Sequence, residues 1–177
     1  MVAEGTRWLS EPEQHAWRGY LAMTRLLAAQ LDRELQQDSA LPHTYYEILV
    51  RLSEAPDRSL RMSELAVLSE SSRSRLSHAV SRLAEAGWVR REDCVTDRRG
   101  AFAILTEAGL AALEAAAPAH VESVRRHLFD RLTPEQVDQL DAICVSVLEG
   151  LKDSGAAPEW TEVAGQSLRT GADRRAS

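Results

Sequence analysis

The residues of this chain best suited to chemistry at a charged surface lie between Ser72 and Gly100. Leu76, Ala79, Val80 and Leu83 recur at helical spacing and predict a helix over about Arg73 to Ala86. At about 100° per residue, Ser74, Arg75, His78, Ser81 and Arg82 point away from that apolar stripe, and Ser77 lies at its flank. Short hydroxyls and cations donate to phosphate oxygens and to base edges without steric bulk. Backbone N–H groups near Ser72 and Arg73, at the first turn, suit a phosphate as well. Ser74, Arg75, Ser77 and His78 are candidates for the floor of a nucleic-acid groove, and Arg82 for its backbone. Farther on, Val95-Thr96-Asp97-Arg98-Arg99-Gly100 separates two short strand candidates, Trp88 to Arg91 and Phe102 to Leu105. Such a hairpin tip would project two arginines.

Two further features position these groups. A shorter helix, about Ser63 to Ser69, precedes the polar one, with Ser63 as its N-cap and Leu65, Ala66 and Leu68 facing inward. The connector Glu70-Ser71-Ser72 leaves room only for a sharp helix-turn-helix corner. Gly87 ends the second helix. A helix-turn-helix with a charged hairpin attached is a winged helix. The competing reading is a solvated polar helix beside an ordinary charged hairpin.

The stretch Asp97 to Thr106 fits an Asp-x-Arg, five-residue, Leu-Thr wing pattern, and Ala86-Gly87-Trp88-Val89 fits the strand entry that precedes it. In both, and in its long helical arms, the chain resembles the MarR (multiple antibiotic resistance regulator) family from about Ser10 to Leu151. The resemblance implies a DNA-binding regulator, more often a repressor than an activator. It places Arg99 in the minor groove, with Asp97 bracing the loop and Arg98 near phosphate. It also implies a small anionic aromatic ligand between head and arms, for which Trp17, Tyr20, His43, Tyr45 and Tyr46 are the candidate contacts. His78 departs from the pattern, standing where many members carry Arg, and its charge depends on pH.

Composition sets the bounds. With 177 residues and 44% apolar content the chain can bury its own core as one domain with arms. The net charge of −6 is unusual for a DNA binder, yet eight arginines against six carboxylates leave Arg61 to Gly100 at +2. Cations at contact range, not total charge, then decide affinity. Cys94 and Cys144 match no ligand spacing and suggest a reducing cytoplasm. A redox role would fall to Cys94, at the wing base; Cys144 lies on an apolar seam as a small hydrophobe. No signal core or bilayer-spanning stretch is present, so no membrane partner is expected. The histidines at 15, 43, 78, 120 and 127 have no metal spacing, and no phosphate loop or nucleophile motif occurs. No catalysis, metal or cofactor is expected. The rival function is a winged helix that binds a protein instead of DNA, favoured by the net acidity and His78 and opposed by Arg98 and Arg99.

The remaining chain supplies arms. Ser10-Glu11-Pro12-Glu13 reads as a capped helix start, followed by Trp17, Leu21, Thr24, Ala28, Leu31 and Leu35 in a seven-residue rhythm. A second helix, about Thr44 to Glu54, turns Tyr45, Ile48, Leu49 and Leu52 inward, and Arg58 to Arg61 is a brief strand candidate. After the wing, a helix from Thr106-Glu107 carries a seam of Leu110, Leu113, Ala117, Val121, Val124 and Leu128, with a kink expected at Pro118. Thr133-Pro134-Glu135-Gln136 opens the last helix, whose seam is Val137, Leu140, Cys144, Val147 and Leu151. The expected fold is mainly α, an α+β winged helix-turn-helix head with long N- and C-terminal helices forming a dimerisation bundle. Residues 1–9 are expected to be flexible, 10–37 and 106–152 to form the dimerisation helices, 43–105 the head, and 153–177 a mobile tail. The expected partners are double-stranded DNA and a second copy of the chain, with recognition helices about 34 Å apart on a palindrome.

Overall fold

The computed structural model describes residues 5–69, 71–94 and 100–153. The chain runs through α1 (Glu11–Ser39), α2 (His43–Glu54), a 3-10 turn (Pro56–Arg58) and β1 (Ser59–Arg61). It continues with α3 (Met62–Leu68), α4 (Arg73–Glu85), β2 (Val89–Asp93) and β3 (Ala101–Leu105). It then follows α5 (Glu107–His127), a second 3-10 turn (Phe129–Arg131) and α6 (Pro134–Asp153). The tail beyond 153 and the first four residues lie outside the described residues, as do Asp97, Arg98 and Arg99 at the wing tip.

Local chemistry accounts for most boundaries. Ser10 and Glu13 exchange hydrogen bonds as a capping box at the head of α1. Thr133 and Gln136 do the same before α6. α4 ends in a Schellman motif: Trp88 N–H donates to Leu83 O and Gly87 N–H to Ala84 O, both at 2.9 Å, with Gly87 at φ 75°. At the start of α2, Asp32 of α1 accepts the His43 backbone N–H at 2.9 Å, which ties arm to head and holds the Asp32 carboxyl below its ordinary pKa.

The three strands form an antiparallel sheet in the order β1-β3-β2. The brief strand expected near Arg58 to Arg61 does pair with the wing, placing Ser59 opposite Ile104 and Arg61 opposite Phe102. β3 alternates strictly, with Ala101, Ala103 and Leu105 buried. Ala103 and Leu105 meet Ile48, Leu49 and Leu52 of α2, Leu65 of α3, and Leu76, Val80 and Leu83 of α4 in one core. Burying these side chains fixes α4 from behind and leaves its opposite face to solvent.

Several expectations need correction. α3 begins after Arg61, whose N–H donates to the Glu64 carboxylate at 3.1 Å; Ser63 is an exposed residue of the first turn, not the cap. Tyr46, not Tyr45, is the fully inward tyrosine of α2, because α5 lies against that side. α5 is helical through Pro118. Pro118 and Glu114, four residues back, are both exposed, so the carbonyl the proline frees can be hydrated. The buried line of α5 is Gly109, Leu113, Ala116 and Ser123, while Val121 is exposed. Only Leu31 and Leu35 of the α1 seam are buried, and Cys144, Val147 and Leu151 of the α6 seam are exposed, as is Ile143 beside them.

Candidate nucleic-acid interface

α4 presents the polar face that its spacing requires. Ser72, Arg73, Ser74, Arg75, His78 and Arg82 are all exposed, on the side opposite buried Leu76, Ala79, Val80 and Leu83. Ser72 is the N-cap: its hydroxyl accepts the Arg75 N–H at 3.3 Å and its carbonyl the Leu76 N–H at 2.9 Å. The Arg73 and Ser74 N–H groups in the first turn then remain for an anion, where the helix dipole favours negative charge. Ser81 donates its hydroxyl to the Ser77 carbonyl, so it contributes less outward chemistry than its position suggests.

Two concavities flank this helix. One, of about 590 Å³, lies between α3 and the start of α4 and is lined by Ser63, Glu64, Ala66, Val67, Ser71, Ser72 and Arg73. The other, of about 320 Å³, lies between the helix-turn-helix and the wing; Arg61, Ser63, Arg73, Ser77, Arg91 and Gly100 are among its walls. Half-buried Ser77 therefore faces a cleft and not the outermost surface. The Arg61 guanidinium stacks 5.1 Å from the centre of the Phe102 ring and its Nη2 lies 3.8 Å from Cys94 Sγ. Spacing along α4 could not have revealed Arg91, since strand pairing brings it to the helix.

The surface arginines divide by partner. Arg58 binds Glu107 at 2.8 Å, Arg82 binds Glu85 at 2.6 Å, and Arg90 pairs with Glu92. Arg61, Arg73, Arg75 and Arg91 form no ion pair among the described residues; Arg73 and Arg75 lie on the outward side of α4 and Arg91 beside it. Such a surface can neutralise phosphates and read base edges.

Comparison with known proteins decides the family. Residues 41–100 match the family model for MarR. Sco3205 from Streptomyces coelicolor, a MarR family transcriptional regulator solved in complex with DNA, is 53% identical over 89% of this chain and 98% of its own, with TM-score 0.79. AbsC from the same organism, also a MarR family transcriptional regulator, is 48% identical over 84% and 99%, with TM-score 0.75. The chain belongs to the MarR family. A MarR mutant from E. coli with operator DNA shares the fold at 22% identity, TM-score 0.65, over 74% of this chain and 91% of its own. No curated protein gives a match. MarR proteins are transcriptional regulators, which removes catalysis as the rival class.

In this MarR protein the five residues suggested for a ligand fall into two pairs and a single residue. Trp17 and Tyr20 stack on each other, ring centres 5.9 Å apart, and are exposed on the first half of α1. Fifteen residues of helix, about 22 Å at 1.5 Å per residue, separate Trp17 from Asp32, the α1 residue that holds the start of α2. His43 and Tyr46 instead meet His120 of α5, with ring centres 5.5 and 4.5 Å from it. Tyr45 is partly buried against the core. His120 Nδ1 is buried with no hydrogen-bond partner among the described residues, and burial lowers its pKa. Its place opposite Tyr46 depends on how α5 docks, which no local pattern signals.

Proposed function

We propose that this protein is a transcriptional repressor that binds duplex DNA as a homodimer in the cytoplasm. In this reading α4 enters the major groove, with Arg75, Ser74 and His78 toward the base edges and Arg73 toward phosphate. The observation that carries it is the outward side of α4, where Arg73 and Arg75 form no ion pair among the described residues, backed by a buried apolar side. Sco3205, 53% identical, was solved in complex with DNA, which supports DNA as the partner. Asp97, Arg98 and Arg99 complete the grip from the wing by family resemblance, with Arg99 in the minor groove.

Dimerisation rests on the arms. Trp17, Tyr20 and Leu26 of α1 and Ile143 and Val147 of α6 are exposed large apolar side chains in a single chain, and water disfavours such seams. A second copy related by a twofold axis would cover them and set the two α4 helices on a palindrome. A repressor of this kind is released by a ligand that favours a spacing unfit for DNA. The grouping of His43, Tyr46 and His120 where arm meets head supports a small anionic aromatic at that junction.

Selection of bound fragments from genomic DNA, followed by salt titration of the best, tests the reading. Affinity should fall by roughly 10³–10⁵ between about 50 and 200 mM salt. Binding that is weak and indifferent to salt would favour a protein-binding module instead. A thermal-shift screen of phenolic acids tests the release step, and stabilisation by none of them would remove it.

A further inference from the structure

We infer that Asp32 of the arm helix α1 is a positioning residue for DNA binding: it caps the first helix of the head and so sets which half-site spacing two heads accept. This rests on the homodimer reading above and adds a residue that lies outside both the recognition helix and the wing.

The N-cap residue of α2 is Pro42, whose side chain can accept no hydrogen bond, so α2 has no cap of its own. Asp32 supplies one from across the connector. Its Oδ1 accepts the His43 N–H at 2.9 Å, and Gln36 Nε2 donates to its Oδ2 at 2.8 Å. A carboxylate at this end also meets the positive pole of the α2 dipole. The connector is short and fixed: Ala40 at φ 52°, buried Leu41, and Pro42. The head turns with α2, because Ile48, Leu49 and Leu52 share one core with Leu76, Val80 and Leu83 of α4.

The bond has a counterpart on the other side of α1. Residues two apart on a helix leave it about 200° apart, so Asp32 and Glu34 leave opposite sides, with buried Leu31 and Leu35 between them. Glu34 accepts from Ser123, and Arg126 and His127 join it, all from α5. Apolar packing at Leu31 and Leu35 is non-directional and resists rolling of α1 weakly, whereas hydrogen bonds on both flanks fix its angle. That angle matters by leverage. About 22 Å of α1 separate Asp32 from Trp17, so a turn of about 10° at Asp32 moves Trp17 by about 4 Å. This is close to the rise of one base pair, about 3.4 Å. A dimer joined by its arms therefore converts loss of the cap into tolerance of wrong spacings.

The test uses Asp32→Ala, Asp32→Asn, which keeps an acceptor oxygen, and Ser10→Ala, which removes a cap from the far end of α1. Asp32→Glu keeps the charge but moves the acceptor by one methylene, and covers the case in which Asp32→Ala does not fold. Half-sites from the best selected genomic fragment are rebuilt as palindromes at the spacing found and at one base pair longer and shorter, beside a duplex with a single half-site. Fluorescence anisotropy gives each affinity, and circular dichroism melts confirm folding. In Asp32→Ala the advantage of the favoured spacing should shrink about fivefold, the equilibrium equivalent of one lost cap, with single half-site affinity unchanged. Asp32→Glu should shrink it too, while Asp32→Asn and Ser10→Ala should keep it. A wild-type spacing preference in both Asp32→Ala and Asp32→Glu overturns the assignment. So does a loss on the single half-site as large as on the palindrome, which would make Asp32 a prop of the head's own fold. A wild type without duplex binding, or without a favoured spacing, overturns the homodimer reading beneath, and the assignment with it.

Discussion

Ser123 of α5 donates its hydroxyl to the carboxylate of Glu34 on α1, across 89 positions of sequence. The same carboxylate accepts from Gln30 at 2.7 Å and Arg126 at 3.0 Å, and meets His127 Nε2 at 2.8 Å. Ser123 is only 2% exposed, so this polar knot lies where the two arm helices pack. These donors, the Ser123 hydroxyl foremost, lower the Glu34 pKa from 4.5 to about 2.

That depression has a direction in pH. The unfolded chain takes up the proton at about 4.5 and the folded chain only near 2, so stability from Glu34 is present above about pH 4.5 and lost as pH falls toward 2. Glu34→Gln should flatten the pH dependence of urea midpoints across that window. Glu34→Ala should cost about 2 kcal/mol near neutral pH, because it strands the buried Ser123 hydroxyl. Equal acid sensitivity in wild type and Glu34→Gln would refute this role.

His120 supplies a second, milder titration. It packs against Tyr46 and His43, with Asp32 bonded to the His43 backbone and Glu47 3.6 Å from the His43 ring. Burial, with a smaller contribution from the His43 charge, pushes the His120 pKa below 6.5. The folded state therefore resists protonation, and stability falls as pH drops below about 6.5. His120→Phe should remove that decline while keeping a ring against Tyr46. Melting temperatures from pH 7.5 down to about 5 would show it, and an undiminished decline in the variant would count against it.

At Gly109 the α5 backbone comes close against the head. A Cβ there would lie 2.1 Å from the Trp88 carbonyl oxygen and 2.8 Å from Leu105 Cδ1. That carbonyl is pinned by the Thr106 N–H at 3.0 Å and hydroxyl at 3.1 Å, and the hydroxyl also caps the Gly109 N–H. With no room to yield, Gly109→Ala should cost about 3 kcal/mol. Gly150→Ala, with nothing within 4 Å, should instead stabilise α6 by up to about 1 kcal/mol. Chemical denaturation of both variants compares them directly.

These contacts show where sequence reading stops. Periodicity and capping chemistry are local, so the Ser10–Glu13 and Thr133–Gln136 boxes and the buried side of α4 follow from spacing alone. The wing pattern likewise announced its strand pair. Glu34 and Ser123 are different: each reads as an ordinary polar residue on its own helix, and only docking makes them partners. Tyr46 displaced Tyr45 for the same reason, since helical spacing names a face but not the neighbour that will cover it. Arg91 entered the candidate interface through strand register. The apolar seams of α1 and α6 are legible in the spacing, but spacing does not say what covers them.

If a second copy covers those seams, a charge placed there should separate the copies. Val147 is 56% exposed on α6, so Val147→Glu should fold as wild type within one chain yet shift the mass in light scattering toward a single 19.6 kDa species. Duplex affinity should fall with it, because two heads bind more tightly when linked. A monomeric wild type would remove the interface outright.

The partners of the arginines on α4 predict opposite effects of neighbouring substitutions. Among the described residues Arg75 has no carboxylate partner to release, so Arg75→Ala should cost about 1–3 kcal/mol on a selected fragment and relax its sequence preference. Arg82 is bound to Glu85 at 2.6 Å, and both are exposed near the end of the helix. Its truncation should weaken binding little and evenly across sequences. Glu85→Gln should do the reverse of a loss: it frees Arg82 and removes a negative charge facing the phosphates. Binding to any duplex should then tighten about threefold at low salt, with the gain fading as salt rises. Anisotropy titrations on a selected and a mixed-sequence duplex would separate these outcomes, and a Glu85→Gln protein that binds more weakly would place α4 in some other orientation.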